Sequence, residues 1–279
     1  MIRAFVIGHP IAHSRSPLIH GHWLQELGIG GSYERIDVAP AELGTFLSSF
    51  QAHGFVGGNV TVPHKKAAFR LVDELTGEAR RLGAVNTLSL TPQGHVRGHN
   101  TDGAGFVDSV REAVGPDWQR QAATAVVIGA GGAARAIVAA LLDLGSARIR
   151  VVNRTTARAD DIRSFDPSRV EAIAWGDRSS ALDRADLLVN ASTLGMVGQP
   201  SLDLRLDLLP PTAIVADLVY VPLVTPLLAA ARERGLRTVS GIGMLLHQAV
   251  PGFRTWFGGV PVVTPALRAL VERDVERGA

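Results

Sequence analysis

The chain has 279 residues, a length that suits about two domains with sizeable hydrophobic cores. Its formal net charge is only +2 and no basic run interleaved with aromatic residues occurs, which argues against a nucleic-acid partner. No apolar run approaches the length of a membrane span, and the absence of cysteine excludes disulfides, thiolate metal sites and a cysteine nucleophile while suiting a cytoplasmic location.

The first predicted strand covers residues 3–8, with no charged and apolar leader of the kind that marks a signal peptide. Pro17 suits the first turn of the helix that follows, with Ser16 as its N-cap. The hydroxyls of Ser14 and Ser16 would then lie beside free N–H groups at a helix start, a place that favours an anion. Ser16 is also explained as a simple cap, whereas Ser14 has no capping role and is the better ligand candidate.

A second polar segment follows a predicted helix over 41–52. Asn59 and Thr61 alternate with valines, so their side chains share one face of an extended segment. Pro63 then opens a helix with Lys65 in its first turn, where the positive helix end disfavours the charged ammonium. Lys65 and Lys66 are the only lysines among 28 cationic residues, and loss of a proton near neutral pH is a task that arginine cannot perform. Lys65 is therefore a candidate proton donor or acceptor, and Lys66 suits a solvated helix face.

The chain then forms a predicted hairpin, with strands over 85–88 and 96–98, and reaches Asp102 before the next helix. An aspartate in this position is commonly a helix cap. A carboxylate at a crossover between domains can equally hold a lysine, and both interpretations stay open for Asp102.

The strongest local signal is a glycine-rich turn after the apolar strand over 124–128. Gly129, Gly131 and Ala134 match the dinucleotide fingerprint G-x-G-x-x-G/A. Gly129 allows the tight turn, Gly131 lets a pyrophosphate approach the backbone, and Ala134 lets the helix pack on the strand. A helix over 133–144 and a strand over 149–152 complete a βαβ unit.

The residues after that second strand predict the cofactor. The segment Asn153-Arg154-Thr155, with Arg158 one turn further, offers guanidinium groups where NAD-specific folds place an acidic residue. Such groups pair with a 2′-phosphate, so NADP(H) is the predicted cofactor. The alternative is that both arginines are merely solvated.

Strands recur over 186–190, 213–218 and 237–240, and a helix over 226–234 connects the last two. This alternation predicts an α/β fold with a parallel sheet wound on both faces. Residues 191–196 and 219–222 then lie at the sheet edge where such folds bind ligands. The nine histidines accompany no H-E-x-x-H motif or carboxylate cluster, so no metal site is predicted.

Eight segments, in order, resemble the shikimate dehydrogenase family over nearly the whole length: residues 8–17, 59–65, 83–87, 100–103, 129–135, 153–155, 190–196 and 243–248. The resemblance implies reversible reduction of 3-dehydroshikimate to shikimate by NADPH. It also implies two α/β domains separated by a cleft, the C-terminal one Rossmann-like: a substrate domain over 1–103 completed by helices over 241–279, and an NADP domain over 104–240. One departure is the order Ser192-Thr193, where Thr-Ser is commoner; both orders offer hydroxyls.

The resemblance also implies residue roles. Lys65 and Asp102 are the expected catalytic pair, while Ser14 and Ser16 are expected to hold the substrate carboxylate. The groups expected to hold ring hydroxyls are Asn59, Thr61, Asn86, Tyr220 and Gln248. The expected cofactor residues are Gly129, Ala130, Gly131, Gly132, Ala133, Asn153, Arg154, Thr155, Arg158, Ser192, Thr193, Met196, Leu218, Gly241, Gly243 and Met244, the last two near the nicotinamide.

Three alternatives remain open. A quinate/shikimate dehydrogenase would use a broader substrate range and often NAD. A non-catalytic NADP-binding sensor would not need Lys65 and Asp102 together. A folate-linked dehydrogenase of similar two-domain build lacks support from the paired serines. The predicted partner is a small-molecule substrate, and the protein is expected to be a monomer or homodimer.

Overall fold

The computed structural model describes residues 1–278 and divides into two compact units. The first unit contains Met1–Asp102 and Gln248–Val271; the second contains Gly103–His247 and the residues from Glu272 onward. Each unit is built around its own six-stranded sheet. Residues 241–279 were predicted to complete the first domain, but of these 241–247 and the residues from Glu272 onward belong to the second unit.

The first unit combines parallel and antiparallel strands in the order β2-β1-β3-β5-β6-β4. Its elements up to the end of that sheet are β1 (Ile2–Gly8), α1 (Ser16–Glu26), β2 (Gly31–Asp37), α2 (Leu43–Ser49), β3 (Phe55–Val60), α3 (Lys65–Leu71), β4 (Glu74–Leu75), α4 (Gly77–Leu82), β5 (Thr87–Leu90) and β6 (Val96–His99). β3 runs parallel to β1 and antiparallel to β5, so the end of β3 meets the start of β5. The predicted helix over 41–52 is shorter, since a 3₁₀ helix at Pro40–Glu42 precedes α2 and α2 ends at Ser49.

The second unit confirms the predicted parallel sheet, in the order β12-β11-β10-β7-β8-β9. Its elements are α5 (Asp102–Val114), β7 (Thr124–Ile128), α6 (Gly132–Asp143), β8 (Arg148–Asn153), α7 (Thr156–Arg163), β9 (Val170–Ala174), β10 (Leu187–Asn190), β11 (Ile214–Asp217), α8 (Pro226–Glu233), β12 (Arg237–Val239) and α9 (Gly241–His247). α5 begins at the last residue of the first unit. The chain ends with α10 (Ala249–Phe257) and α11 (Pro265–Arg277).

Apolar side chains on alternate positions of the central strands form two separate cores, one on each face of this sheet. Val127, Val151 and Val189 belong to one core, and Val126, Val152 and Leu188 to the other. Burial on both faces explains why these strands read as continuous apolar runs in the sequence.

α10 packs on the sheet of the first unit through aromatic residues. Trp256 donates a 2.8 Å hydrogen bond from Nε1 to the carbonyl of Leu88, and it lies beside the ring of Tyr33 at a centroid distance of 5.9 Å. Phe253 stacks near His20, which places a histidine ring inside an aromatic cluster.

No helix within residues 1–278 is long and apolar enough to cross a membrane.

His20 makes the stability of the fold sensitive to acid. Its ring is fully buried, and neither ring nitrogen has a hydrogen-bond partner among the described residues. Burial lowers the pKa of the His20 imidazole to about 3, and the neighbouring Asn59 side chain offsets only part of that effect. The unfolded chain therefore binds a proton at His20 below its ordinary pKa, while the folded chain resists it until about pH 3.

We expect the free energy of unfolding to fall as the pH drops below about 6.5, with His20 contributing about 3 kcal/mol of that loss between pH 7 and pH 4. Urea unfolding of the wild-type protein and of His20→Phe at both pH values measures this contribution, because the variant has no group to protonate. Identical losses in the two proteins would show that His20 does not cause the acid sensitivity.

Candidate active site

Lys65 and Asp102 form a close ion pair in the first unit. Lys65 is the first residue of α3, and its Nζ lies 2.6 Å from Oδ2 of Asp102. The helix start is held by buried His64, whose Nε2 lies 2.7 Å from the carbonyl of Val38. The Lys65 side chain keeps 23% of its surface exposed, against 6% for Asp102, so Lys65 is the more accessible member of the pair.

Asp102 is the first residue of α5, and its carboxylate does not cap that helix. Oδ2 accepts the Lys65 ammonium, and Oδ1 accepts a 2.8 Å hydrogen bond from Nδ2 of Asn86. The backbone N–H of Asp102 is instead satisfied by Oδ1 of Asn100 at 3.1 Å. Of the two interpretations that the sequence allowed, the structure shows the carboxylate holding a lysine.

Asn86 connects this pair to the start of α5 and to Gln248. Its Oδ1 accepts the backbone N–H of Thr101 at 2.9 Å, and its Nδ2 also lies 3.0 Å from the Thr101 hydroxyl. That hydroxyl donates to the backbone carbonyl of Gln248 at 2.8 Å. Thr101 was not among the predicted site residues; it belongs to the same segment as Asp102 and is buried like it.

Asn59 joins the same group from the end of β3. Its Nδ2 donates to the carbonyl of Asn86 and to the hydroxyl of Thr87, each at 3.1 Å. Thr61 follows two residues later and is only partly buried. The structure thus brings together Lys65, Asp102, Asn86 and Asn59, which are separated in the sequence.

The serine segment differs in one respect from the sequence-based expectation. Ser16 is the first residue of α1 and does not cap it, since Arg15 occupies the cap position without a side-chain bond. The Ser14 hydroxyl accepts the N–H of Ser16 at 3.3 Å. The prediction that Ser16 is the N-cap was therefore wrong.

In the second unit, the glycine-rich turn has the geometry that the fingerprint requires. Gly129 has a φ of +107°, and a Cβ there would lie 3.0 Å from the Ala191 carbonyl carbon and oxygen, so a side chain is excluded by conformation and by contact. Gly131 is the N-cap residue of α6, and no atom lies within 4 Å of the position its Cβ would take. An anionic group can therefore approach the start of α6, where free N–H groups attract it.

The arginines after β8 are available to an anion. Arg154 and Arg158 are both exposed, and neither forms an ion pair with a residue of the described chain. Asn153 donates from Nδ2 to the carbonyl of Thr155 at 2.9 Å, which shapes the turn that carries Arg154. No carboxylate occupies the turn, so the residues present fit a 2′-phosphate.

A buried carboxylate that sequence analysis missed connects the two loops after β10 and β11. Asp217 accepts hydrogen bonds from Thr225 Oγ1 at 2.6 Å, Asn190 Nδ2 at 2.8 Å and the N–H of Val219 at 3.0 Å. Asn190 in turn accepts the Ser192 hydroxyl at 2.7 Å. Burial raises the pKa of Asp217, while these hydrogen bonds act in the opposite direction.

Further predicted cofactor residues, and the predicted substrate contact Tyr220, lie in these two loops or in α9. Thr193 and Met196 are exposed, while Ser192, Leu218 and Tyr220 are half-buried. Gly241 leaves no room for a side chain, because its Cβ would lie 2.3 Å from the Leu218 carbonyl oxygen. Gly243 and Met244 lie buried in α9. Across residues 1–278, no group of three or more histidine, aspartate or glutamate side chains could hold a metal ion.

In comparisons with known proteins, each of the two units matches a family model. Residues 6–88 match the family model described as the shikimate dehydrogenase substrate binding domain, and residues 112–195 match the model of shikimate / quinate 5-dehydrogenase. The chain is 56% identical to the shikimate dehydrogenase (NADP(+)) of Methylobacterium radiotolerans over 98% of this chain and 97% of that protein. It is 55% identical to the enzyme of the same name from Methylocella silvestris over 99% and 97%.

Two solved structures extend the comparison. The shikimate 5-dehydrogenase of Thermus thermophilus, in complex with NADP(H) and shikimate, is 35% identical with a TM-score of 0.84 and full coverage of both chains, 100% each. The quinate dehydrogenase of Corynebacterium glutamicum, in complex with NAD, is 34% identical with a TM-score of 0.88, covering 97% of this chain and 98% of that one.

Proposed function

The chain belongs to the shikimate dehydrogenase family, and from this premise we propose that it interconverts 3-dehydroshikimate and shikimate with NADP(H), with Lys65 and Asp102 transferring the proton. The observation that carries the chemistry is the 2.6 Å pair between Nζ of Lys65 and Oδ2 of Asp102. Reduction of a ketone requires a hydride and a proton, and bound NADPH supplies the hydride.

The proton comes from the Lys65 ammonium. As the carbonyl carbon accepts the hydride, its oxygen becomes an alkoxide, and Nζ stabilises that charge and then donates a proton to it. Asp102 accepts a hydrogen bond from Nζ and so directs the ammonium, while Asn86 holds the other carboxylate oxygen. The neutral amine recovers a proton from water through the exposed part of the side chain. In the oxidative direction the same amine accepts the proton of the alcohol.

The substrate groups proposed for the first unit suit a polyol that carries a carboxylate. Amide and hydroxyl side chains both donate and accept, as a ring hydroxyl requires, and Asn59, Thr61, Asn86 and Gln248 are the proposed contacts. Tyr220 of the second unit is a further proposed contact to a ring hydroxyl. Ser14 and Ser16 at the start of α1 are the proposed contacts for the carboxylate, because free N–H groups at a helix start favour an anion.

NADP(H) is the proposed cofactor because the turn after β8 carries two exposed arginines and no acid. The pyrophosphate would be held by residues 129–133 at the start of α6, and the nicotinamide by the loops that Asp217 connects, together with Gly241, Gly243 and Met244. The monomeric or homodimeric state and the cytoplasmic location stay predictions.

A four-way assay tests the proposal: purified protein with shikimate or quinate, each with NADP or NAD, followed by the absorbance of the reduced nicotinamide. We expect the kcat/KM for shikimate with NADP to exceed the other three combinations. A preference for quinate with NAD would favour the second candidate, a quinate dehydrogenase, which the similarity to the Corynebacterium glutamicum structure brings into consideration. Cofactor binding without turnover of either acid would identify a sensor.

A further inference from the structure

The hydrogen-bond directions around Asn59 and Asn86 are set by two backbone groups. A backbone carbonyl only accepts, so the carbonyl of Asn86, 3.1 Å away, must face the nitrogen end of the Asn59 amide. A backbone N–H only donates, so the N–H of Thr101, 2.9 Å away, must face the oxygen end of the Asn86 amide. Rotation of either amide by half a turn would place two acceptors or two donors against each other.

Two further side chains, neither assigned a role above, complete this arrangement. Oη of Tyr33 lies 2.6 Å from Oδ1 of Asn59 and must donate to it. The Thr87 hydroxyl accepts from Nδ2 of Asn59 at 3.1 Å and, with its own hydrogen, donates to Oδ1 of Asn86 at 2.9 Å. A continuous series of hydrogen bonds therefore runs from Tyr33 through Asn59, Thr87 and Asn86 to the carboxylate of Asp102.

We propose that Thr87 and Tyr33 are positioning residues, which hold the amides of Asn59 and Asn86 in the one orientation that serves the substrate and Asp102. Thr87 is 2% exposed and Tyr33 is 8% exposed, so they act through the asparagines and not by touching the ligand. This inference rests on the proposed function, because it assumes that the two amides contact the substrate.

Contacts within the protein fix the positions of the Tyr33 and Thr87 hydroxyls. The Tyr33 ring stacks on His20 with centroids 4.0 Å apart and planes 8° apart, which fixes the direction of Oη. Burial raises the pKa of Tyr33, so its hydroxyl stays a neutral donor. The Thr87 hydroxyl links two amides at once, so its loss would leave Oδ1 of Asn86 and Nδ2 of Asn59 each short of one partner inside the protein.

The test compares Thr87→Val, Thr87→Ser and Tyr33→Phe with a matched control, Ser89→Ala. Ser89 lies two residues along the same strand, is 7% exposed, and pairs with His99 at 2.7 Å outside the series. Steady-state kinetics give KM for shikimate and for NADP separately, titration calorimetry gives the shikimate dissociation constant, and thermal unfolding reports stability.

We expect Thr87→Val to lower kcat/KM for shikimate about 10- to 100-fold and to weaken shikimate binding by about 10-fold, with KM for NADP unchanged. Thr87→Ser should stay within about 2-fold of wild type because it keeps the hydroxyl. Tyr33→Phe keeps the ring and should produce a smaller loss of the same kind. Tyr33→Phe also allows the proposal to be tested if Thr87→Val does not fold.

The inference is overturned if Thr87→Val and Tyr33→Phe lower only the melting temperature, as Ser89→Ala is expected to do, and leave the shikimate constants at the control values. Failure of the proposed function is seen separately, in the wild-type protein. If wild type prefers quinate, the same variants are compared with quinate, since the orientation of the two amides serves either ring.

Discussion

Lys65→Ala is expected to lower kcat by about 100- to 10,000-fold while the KM for shikimate changes little. The ammonium is proposed to act on the oxygen that becomes charged only during hydride transfer, so its removal raises the barrier without removing a ground-state contact. Steady-state oxidation of shikimate with saturating NADP measures both constants. An unchanged kcat would reject Lys65 as the proton donor.

Two companion variants separate proton transfer from other effects of the substitution. Lys66→Ala removes the other lysine of the chain, which is exposed on the same helix, and should leave kcat at the wild-type value. Lys65→Arg keeps a positive charge beside Asp102 but introduces a group that does not give up its proton near neutral pH. If Lys65→Arg retained wild-type kcat, Lys65 would act by charge alone and the assignment of proton transfer would be wrong.

Arg154→Ala is expected to raise the KM for NADP by about 10- to 100-fold and to leave the KM for NAD almost unchanged. A guanidinium makes charge-assisted hydrogen bonds to the 2′-phosphate, which NAD lacks. Arg154 is exposed and forms no ion pair within the part of the chain that the structure describes, so its removal should cost no stability. Kinetics with each cofactor at saturating shikimate provide the comparison.

Arg163→Ala is the matched control, because Arg163 is exposed at the far end of α7, the helix that follows Arg154. It changes the net charge equally and should leave both constants near wild type. Adding Arg158→Ala to Arg154→Ala should bring the KM values for NADP and NAD closer still. A similar rise of the KM values for NADP and NAD in Arg154→Ala would show that Arg154 does not bind the 2′-phosphate.

Much of the second unit could be predicted from the sequence, because the patterns that indicate its strands and its glycine-rich turn are local. The strands β7, β8, β10 and β11 are apolar runs, and the glycine-rich turn after β7 lies in a βαβ unit, the context in which its spacing indicates a dinucleotide site. β9 was not predicted, since it is an edge strand whose residues are only partly buried and whose sequence Val170–Ala174 mixes apolar and charged positions. At the start of α1, Arg15 and not Ser16 takes the N-cap position, and the Ser14 hydroxyl accepts the Ser16 N–H, because loop geometry and not residue type decides which group meets the helix start.

The sequence alone specified which chemical groups this protein possesses: a lone candidate lysine for proton transfer, a dinucleotide turn and a pair of arginines after the second strand. These features depend on neighbouring residues and on the periodicity of helix and strand, which extend over a few positions. Only the folded chain decided that Asp102 pairs with Lys65, that Thr87 lies between Asn59 and Asn86, and that Asp217 joins two loops. These contacts depend on which strands become neighbours in each sheet, and that choice is made by packing between distant segments that no local pattern records.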